Sequence, residues 1–488
     1  MFRKFGVSTL LVAVMSMGAG AQDGRAVIAN ASKALGADNL TSLTYSGTAA
    51  NGNFGQSINI AGPLQMTAIT NYTRSIDLNQ PASRAFGPTM PPTVPGAPAP
   101  VAGNFNQNIT PANTAWTQQL QIWVTPWGFL KGAAANNATV RSERVGGTTY
   151  NVVTWSPAQK APSGQAYRVV GYINPQNMVD RVETWVEHPI AGDLHVDTTY
   201  SNYQDFGGLK VPTRIVQKQA EIESFTATIT SASGNPANIV ELLTPPPAPG
   251  RGGAPGGAPP AAGGPPAPPQ VASEKLADGV YRITGGYVAL AIEFRDHIVV
   301  LESGQSEARG LAVLAEARRV IPNKPIRYVV NTHPHFDHGS GLAPVAAEGI
   351  TIVTHDNNKA FLEKALSSPR TLVGDNLAKA NVKPKFETVA EKRVLTDATR
   401  TVELHHVQNL AHTNGMIVAL LPKERILFTA DFNVPAMGAA PSPFIATLVQ
   451  NLDRLKIDFD THVLVHAPNP DRPQTKADLL ALAKAVTN

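Results

Sequence analysis

The stretch that decides the fold is Thr332-His333-Pro334-His335-Phe336-Asp337-His338-Gly339, which directly follows the apolar, strand-like segment 326–330. In an extended segment, the side chains at positions i and i+2 point to the same side. His333 and His335 can therefore hold one metal ion together from the end of a strand, and Asp337 and His338 follow where the chain turns. So many imidazole and carboxylate groups close together, in a chain with only 12 His, favour a zinc site.

Three more candidate ligands each follow an apolar strand-like segment farther along the chain. His412 lies between two such segments, Asp431 follows segment 426–429, and His466 follows segment 462–465. Loops at strand ends often carry functional residues. We therefore expect these three side chains to reach the same edge of the sheets as the histidine-rich stretch.

The region 271–488 alternates strand-like and helix-like segments. Predicted strands cover 280–283, 288–294, 297–301, 326–330, 350–354, 402–407, 416–421, 426–429 and 462–465, and predicted helices cover 307–320, 357–366, 443–456 and 476–486. Two runs of strands with attached helices predict a layered α/β (α+β) domain with the sheets inside and the helices outside.

Together these residues resemble the metallo-β-lactamase superfamily, whose His-x-His-x-Asp-His signature matches positions 333–338. The resemblance covers about residues 273–488 and implies a four-layer αββα sandwich with two metal ions at one edge. It implies that one zinc ion is held by His333, His335 and His412, the second by Asp337, His338 and His466, and that Asp431 bridges the two. The same ligands also suit iron or manganese.

Several neighbours of these ligands depart from the family pattern. Ala411 and Ala430 stand where the family usually has Gly, and Glu302 stands where it often has Asp. These changes affect loop shape, and with it the choice of substrate. Asp431 and the absence of cysteine resemble the broad hydrolase branches, such as glyoxalase II-like enzymes, more than the cysteine-ligated β-lactamases.

The chemistry that follows is hydrolysis of a small-molecule substrate. A dinuclear metal-bound hydroxide is predicted to cleave an ester, lactone, thioester, amide or phosphoester bond. Asp337 is the candidate catalytic residue, which orients the nucleophile and passes a proton to the leaving group. Two alternatives stay open: a β-lactamase proper, and a periplasmic binding or carrier protein for an apolar ligand with an accessory metal domain.

The region 22–244 is predicted to be a mainly β N-terminal domain. A helix at 26–35 is expected to precede strands at 56–60, 120–124, 167–173, 178–186 and 194–202, and residues 87–113, rich in Pro, Gly and Asn, are expected to form a long loop. His188 and His195 are expected at the surface. The segments 34–49 and 200–215 are weakly similar to periplasmic lipoprotein-carrier-type half-barrels.

The remaining segments predict export and a tether between the domains. Residues 1–21 have the basic start, apolar stretch and Ala-Gly-Ala end of a signal peptide, which predicts a periplasmic or secreted bacterial protein. Residues 245–270 are a Pro/Gly-rich linker. The net charge of +4 without a basic run argues against nucleic-acid binding. No transmembrane segment is expected in the mature chain, and the sequence leaves the oligomeric state open.

Overall fold

A computed structural model of the protein describes residues 24–245, 270–434 and 441–487. The predicted signal peptide at 1–21 lies outside the described residues, and so does the linker apart from its end residues 245 and 270. None of the helices in the described part of the chain has the length and hydrophobicity needed to span a bilayer. The domain boundaries and the export of the chain stay predictions.

The N-terminal region is a mainly β domain, as predicted. Its described strands form an eleven-stranded sheet in the order β4-β3-β2-β1-β11-β10-β9-β8-β7-β6-β5, and every neighbouring pair runs antiparallel. The strands are β1 Ser42–Asn51, β2 Thr67–Asp77, β3 Ala82–Met90, β4 Gly103–Ile109, β5 Thr139–Val145, β6 Thr148–Trp155, β7 Val169–Ile173, β8 Val179–His188, β9 Gly192–Phe206, β10 Leu209–Gln219 and β11 Ile222–Gly234.

Three helices pack against this sheet, and a short fourth helix follows it. They are α1 Gly24–Ala34, α2 Trp116–Trp123, α3 Pro126–Ala135 and α4 Ile239–Leu243. The predicted helix at 26–35 is confirmed, whereas the predicted strand at 120–124 is wrong. Trp116 and Leu120 are both buried at a spacing of four, which is the helical period. Thr125 then caps α3 by accepting a hydrogen bond from the Gly128 amide.

Two further predictions for this domain are corrected. The expected loop at 87–113 contains the end of β3 and all of β4, which pair in register from Ser83 with Ile109 to Thr89 with Gly103. The expected strand at 56–60 is instead part of the long β1–β2 loop (residues 52–66). The backbone of this loop makes hydrogen bonds to the C-terminal domain in place of a sheet partner.

The C-terminal domain contains two sheets, of seven strands and six strands, among its described residues. The first has the order β12-β13-β14-β15-β16-β17-β18, with parallel pairing from β15 to β18, and the second runs from β19 to β24 in sequence order. The strands are β12 Ala272–Ala277, β13 Val280–Thr284, β14 Ala289–Glu293, β15 Ile298–Leu301, β16 Ile326–Val330, β17 Thr351–His355, β18 Lys385–Val389, β19 Lys392–Thr396, β20 Thr401–His406, β21 Ile417–Leu421, β22 Ile426–Thr429, β23 Thr461–Leu464 and β24 Gln474–Thr475.

Helices cover the outer faces of both sheets. They are α5 Glu307–Val320, α6 Phe336–Gly339, α7 Leu342–Ala347, α8 Asp356–Leu366, α9 Asn376–Ala380, α10 Pro443–Leu455 and α11 Lys476–Thr487. Strand β14 shows how the layers are built: Leu290 and Ile292 pack between the two sheets, while Ala289 and Ala291 face the helices. The predicted α/β (α+β) class and the four-layer αββα arrangement are confirmed.

The two domains are docked through polar contacts. Arg370, in the loop after α8, donates to the backbone carbonyls of Pro189 and Ile190 at 2.6 and 2.9 Å. Asp193 accepts hydrogen bonds from the backbone amides of Thr371 and Leu372. These contacts fix the turn between β8 and β9 against the C-terminal domain.

His188, at the same turn, is not the surface residue that the sequence predicted. It is half-buried, and its ring centroid lies 4.5 Å from that of Phe336 and 6.3 Å from that of Phe54. Burial, together with the charge of Arg370, lowers the pKa of His188 to about 4. The ring is therefore neutral at neutral pH and belongs to the packing between the domains.

Candidate metal centre

One residue, Asn331, separates the end of strand β16 from the histidine-rich stretch. The chain stays extended through His333 and His335 and then turns into the single-turn helix α6, which carries Asp337 and His338. The carbonyl of His335 accepts from the amides of His338 and Gly339 and so closes this turn. Four candidate ligands therefore lie on one rigid strand-to-helix corner.

Three strand ends bring the other candidates to this corner. His412 lies in the loop between β20 and β21, Asp431 follows β22, and His466 follows β23. Strands β22 and β23 are parallel, so their carboxyl ends meet at one edge of the six-stranded sheet. Asp431 has a φ of +58°, a left-handed conformation that turns its carboxylate into the cluster.

The seven predicted residues form two groups that share Asp431. In the first group, His333 Nε2 and His412 Nε2 lie 3.2 and 2.6 Å from Asp431 Oδ2. His335 belongs to the same group, and one ligand atom of each member lies within 4.8 Å of all the others.

The second group contains Asp337, His338 and His466 together with Asp431. His338 Nε2 and His466 Nε2 lie 3.0 and 2.6 Å from Asp431 Oδ1, so each carboxylate oxygen of Asp431 serves one group. The two imidazole nitrogens are 3.2 Å apart, and Asp337 Oδ2 is 3.4 Å from His338 Nε2. The structure thus brings together every residue that the sequence singled out.

The chemistry of these atoms suits divalent metal ions. Four of them are buried yet form no hydrogen bond with any described residue: His333 Nε2, His335 Nδ1, His412 Nε2 and Asp431 Oδ1. Buried polar atoms are normally paired, and two atoms that bind one zinc ion at 2.0–2.2 Å lie roughly 3–3.5 Å apart. The donor set therefore fits two metals of the kind that bind nitrogen and oxygen.

The protonation states agree with this fit for the first group. Burial and the neighbouring His412 lower the pKa of His335 to about 4. Burial, followed by the charge of His338, also lowers the pKa of His333 well below 6.5. Both rings are neutral at pH 7, which is the form that binds a metal ion.

In the second group, the carboxylates together outweigh burial in setting the protonation state of His338. Burial alone would raise the pKa of Asp431, but the neighbouring His333 and His338 rings hold it far below its ordinary range. Burial opposes a charge on His338, but Asp431 and Asp337 raise its pKa well above 6.5. The two carboxylates therefore favour the protonated form of the His338 ring.

An outer layer of polar groups orients the ligands. Glu302 is fully buried with a φ of +67°, accepts from the Thr332 amide at 2.7 Å, and places Oε2 3.5 Å from His338 Nδ1. The sequence noted Glu302 only as a departure from a family pattern. Its longer side chain reaches His338 and turns the Nε2 atom of that ring toward the metal position.

Tyr287 and Arg309 help to build the candidate metal centre, and the sequence did not predict either of them. Tyr287 donates to Asp337 Oδ2 at 3.1 Å, and its ring lies 4.3 Å from that of His466. The buried Arg309 donates to the carbonyls of Thr284 and Tyr287 and so fixes the β13–β14 loop. A tyrosine after two glycines between strands is a weak signal, because only the folded loop brings it to the centre.

Comparison with known sequences assigns a family to one part of the chain. The family model described as "Metallo-beta-lactamase superfamily" matches residues 284–467, which include all seven candidate ligands. Residues 284–467 form a metallo-β-lactamase superfamily domain. Among curated proteins, the chain is 23% identical over 219 residues to 2,4-dinitroanisole O-demethylase subunit alpha of Nocardioides sp. (strain JS1661). The match covers 43% of this chain and 62% of that relative.

Solved metallo-β-lactamase structures are also similar to this chain. The metallo-β-lactamase from Pontibacter korlensis is 18% identical, with a TM-score of 0.36, and the match covers 45% of this chain and all of that structure. The metallo-β-lactamase from Erythrobacter litoralis is 18% identical, with a TM-score of 0.34, and the match covers 45% of this chain and 97% of that structure.

Proposed function

We propose that this protein is an exported, zinc-dependent hydrolase with a dinuclear centre in its metallo-β-lactamase domain. The observation that carries this proposal is the pair of four-residue groups that share Asp431. His333, His335 and His412 would hold one ion, and Asp337, His338 and His466 the other. When bound, two such ions supply hydroxide at neutral pH and polarise the bond to be cleaved.

Asp337 is the proposed catalytic carboxylate. Its side chain is 30% exposed, so it faces the open side of the centre where a substrate could enter. Burial alone would raise its pKa, but the neighbouring His338 ring and the hydrogen bond from Gln56 lower it, and the group is ionised at neutral pH. As an ionised carboxylate, Asp337 can orient the attacking water by accepting a hydrogen bond from it, and its proposed second role is to relay a proton to the leaving group.

Tyr287 complements Asp337 as a hydrogen-bond donor. Burial, followed by the charge of Asp337, raises the pKa of Tyr287 far above neutrality. Its hydroxyl therefore stays protonated and holds the Asp337 carboxylate in one orientation. The rings of Tyr287 and Phe444, the second lying 5.4 Å from His412, border the centre on two sides and favour a small substrate with an apolar or aromatic part.

The test combines metal analysis with a substrate screen on the purified full chain. We expect about two zinc ions per chain, and turnover of an ester, lactone, thioester, amide or phosphoester that is lost in His335→Ala. Asp337→Asn should fold normally but lose most turnover. A wild-type chain that binds no metal and cleaves nothing would refute the proposal, and full activity of Asp337→Asn would refute the catalytic role alone.

The screen should include β-lactams and 2,4-dinitroanisole. A β-lactamase proper is an alternative that the family leaves open. The curated relative is named as an O-demethylase of 2,4-dinitroanisole, and aryl methyl ethers carry the aromatic part that Tyr287 and Phe444 favour. Turnover of either compound alone would identify the bond that the centre cleaves.

A carrier function for the N-terminal domain is a second candidate. A cavity of about 750 Å³ opens between α1 and α3. Its lining includes apolar residues, among them Ile28, Trp127 and Leu130, and also the charged residues Arg25, Asp38 and Lys131. Ligand pockets commonly have volumes of about 300–1,000 Å³. Quenching of tryptophan fluorescence by an apolar probe in the wild type, and its loss in Leu130→Glu, would support this role. Unchanged fluorescence on adding the probe would exclude it.

A further inference from the structure

The β1–β2 loop of the N-terminal domain lies directly on the metal centre. Its Gly55 carbonyl accepts from the Phe336 amide at 3.2 Å, and its Ile58 carbonyl accepts from the Asn414 amide at 2.8 Å. The Phe54 ring packs edge-on against Phe336 with centroids 5.2 Å apart. The loop therefore spans two ligand-bearing segments of the other domain, the α6 corner and the loop between β20 and β21.

Two residues of this loop contact candidate ligands. The Ser57 carbonyl accepts a hydrogen bond from His335 Nε2 at 3.1 Å. The Gln56 side-chain amide donates to Asp337 Oδ1 at 2.7 Å. Ser57 is 1% exposed and His335 is fully buried, so the first contact is closed to water.

These contacts decide which atoms are free to bind metal. A neutral imidazole carries one proton, and the acceptor at Nε2 keeps it there, which leaves the Nδ1 lone pair of His335 for an ion. The two oxygens of the Asp337 carboxylate also have fixed partners: Oδ1 accepts a hydrogen bond from Gln56, and Oδ2 accepts one from Tyr287. Such outer partners are known to set both the orientation and the affinity of metal ligands.

We propose that the β1–β2 loop is a working part of the metal centre, in which the Ser57 carbonyl fixes the tautomer of His335 and Gln56 is a positioning residue for Asp337. The N-terminal domain thereby completes the centre and forms one wall of the substrate site. This inference rests on the proposed function only as far as metal binding. It does not depend on which bond is cleaved.

Glycine at position 55 is required for this close approach. Its φ is +85°, and a Cβ atom there would lie 2.1 Å from the Phe336 ring. Gly147, in the β5–β6 turn, has a φ of +88° and nothing within 4 Å of an added Cβ. Gly55→Ala and Gly147→Ala therefore impose the same backbone strain, but only the first moves the loop away from the metal centre.

The experiment measures metal binding in the full chain, without any substrate. Zinc affinity is determined by competition with a chromogenic chelator, and the ligand field is followed by the visible spectrum of the cobalt-loaded protein. We expect Gln56→Ala to weaken binding of one ion about 10–100-fold, and Gly55→Ala to weaken binding and change the cobalt spectrum. Gln80→Ala, an exposed glutamine of the same domain, and Gly147→Ala should match the wild type.

The outcomes separate this inference from the proposed function. Wild-type affinity and spectrum in both Gln56→Ala and Gly55→Ala would overturn the role of the loop and leave the hydrolase proposal standing. A wild-type chain that binds neither zinc nor cobalt would overturn both. Metal binding that depends on Gln56, in a chain that cleaves no substrate, would support the loop and overturn the hydrolase.

Discussion

Removal of Arg370 should uncouple the two domains. The Arg370 side chain is 4% exposed, and its Nε donates to Asp375 Oδ2 at 2.8 Å. The same guanidinium donates to the carbonyls of Pro189 and Ile190 in the N-terminal domain. One side chain thus joins the turn between β8 and β9 to the loop that precedes α9.

The cost of Arg370→Ala follows from what it leaves behind. The Asp375 side chain is 2% exposed and would lose its cation, while two backbone carbonyls would lose their donor. Breaking a buried ion pair in this way destabilises a protein by about 3–5 kcal/mol. Asp375 keeps one hydrogen bond, from the Ala378 amide, so we expect the lower end of that range.

The assay is urea unfolding of the full chain, followed by tryptophan fluorescence and far-ultraviolet circular dichroism. All five tryptophans lie between positions 116 and 185, so fluorescence reports on the N-terminal domain alone. For Arg370→Ala we expect a lower urea midpoint and two transitions that no longer coincide, because the docking of the domains is weakened.

Arg318→Ala is the matched control. Arg318 pairs with Glu348, but their side chains are 43% and 36% exposed, and exposed pairs contribute only about 0–1 kcal/mol. If Arg370→Ala lost less than about 1 kcal/mol, or unfolded like Arg318→Ala with coincident transitions, the reasoning about this buried contact would be wrong.

Three further outcomes are expected. Asp431→Asn should weaken the binding of both ions by more than the roughly 10–100-fold that is typical of an outer partner. The reason is that each carboxylate oxygen of Asp431 lies against one of the two groups. Isothermal titration of the metal-free chain with zinc measures this loss. Metal binding should release a proton from His338, because the pKa of that ring is raised in the metal-free centre. The zinc affinity should therefore fall as pH falls. Calorimetric titration in buffers of different ionisation enthalpy measures the released proton. The pKa of His188 is about 4 in the folded chain, against 6.5 in the unfolded chain. The free energy of unfolding is therefore highest above pH 6.5 and decreases as pH falls toward 4, by at most about 3 kcal/mol. His188→Asn should flatten that part of the stability curve, and an unchanged curve would contradict the assignment.

The sequence alone was sufficient to predict the metallo-β-lactamase domain and to single out its candidate ligands. Alternation places His333 and His335 on one side of an extended segment, and Asp431 and His466 follow apolar strands whose ends meet at one edge. These are local patterns of spacing and hydrophobicity, and local patterns survive folding. The structure brings these seven residues together in two groups, and their role as ligands stays a prediction.

Local patterns failed where long-range contacts decide the conformation. Segment 120–124 alternates like a strand, yet burial of Trp116 and Leu120 against the sheet makes it a helix. Residues 56–60 also alternate, but their backbone groups bond to the other domain and leave Gln56 on the metal centre.

Gln56 and Asp337 are 281 residues apart, and the local sequence around neither residue predicts their contact. The candidate ligands follow from short-range spacing, which can be read directly in the sequence. The hydrogen bonds from Gln56 to Asp337 and from His335 to the Ser57 carbonyl were decided only by docking of the N-terminal domain, because hydrogen bonds between distant segments exist only once both are folded.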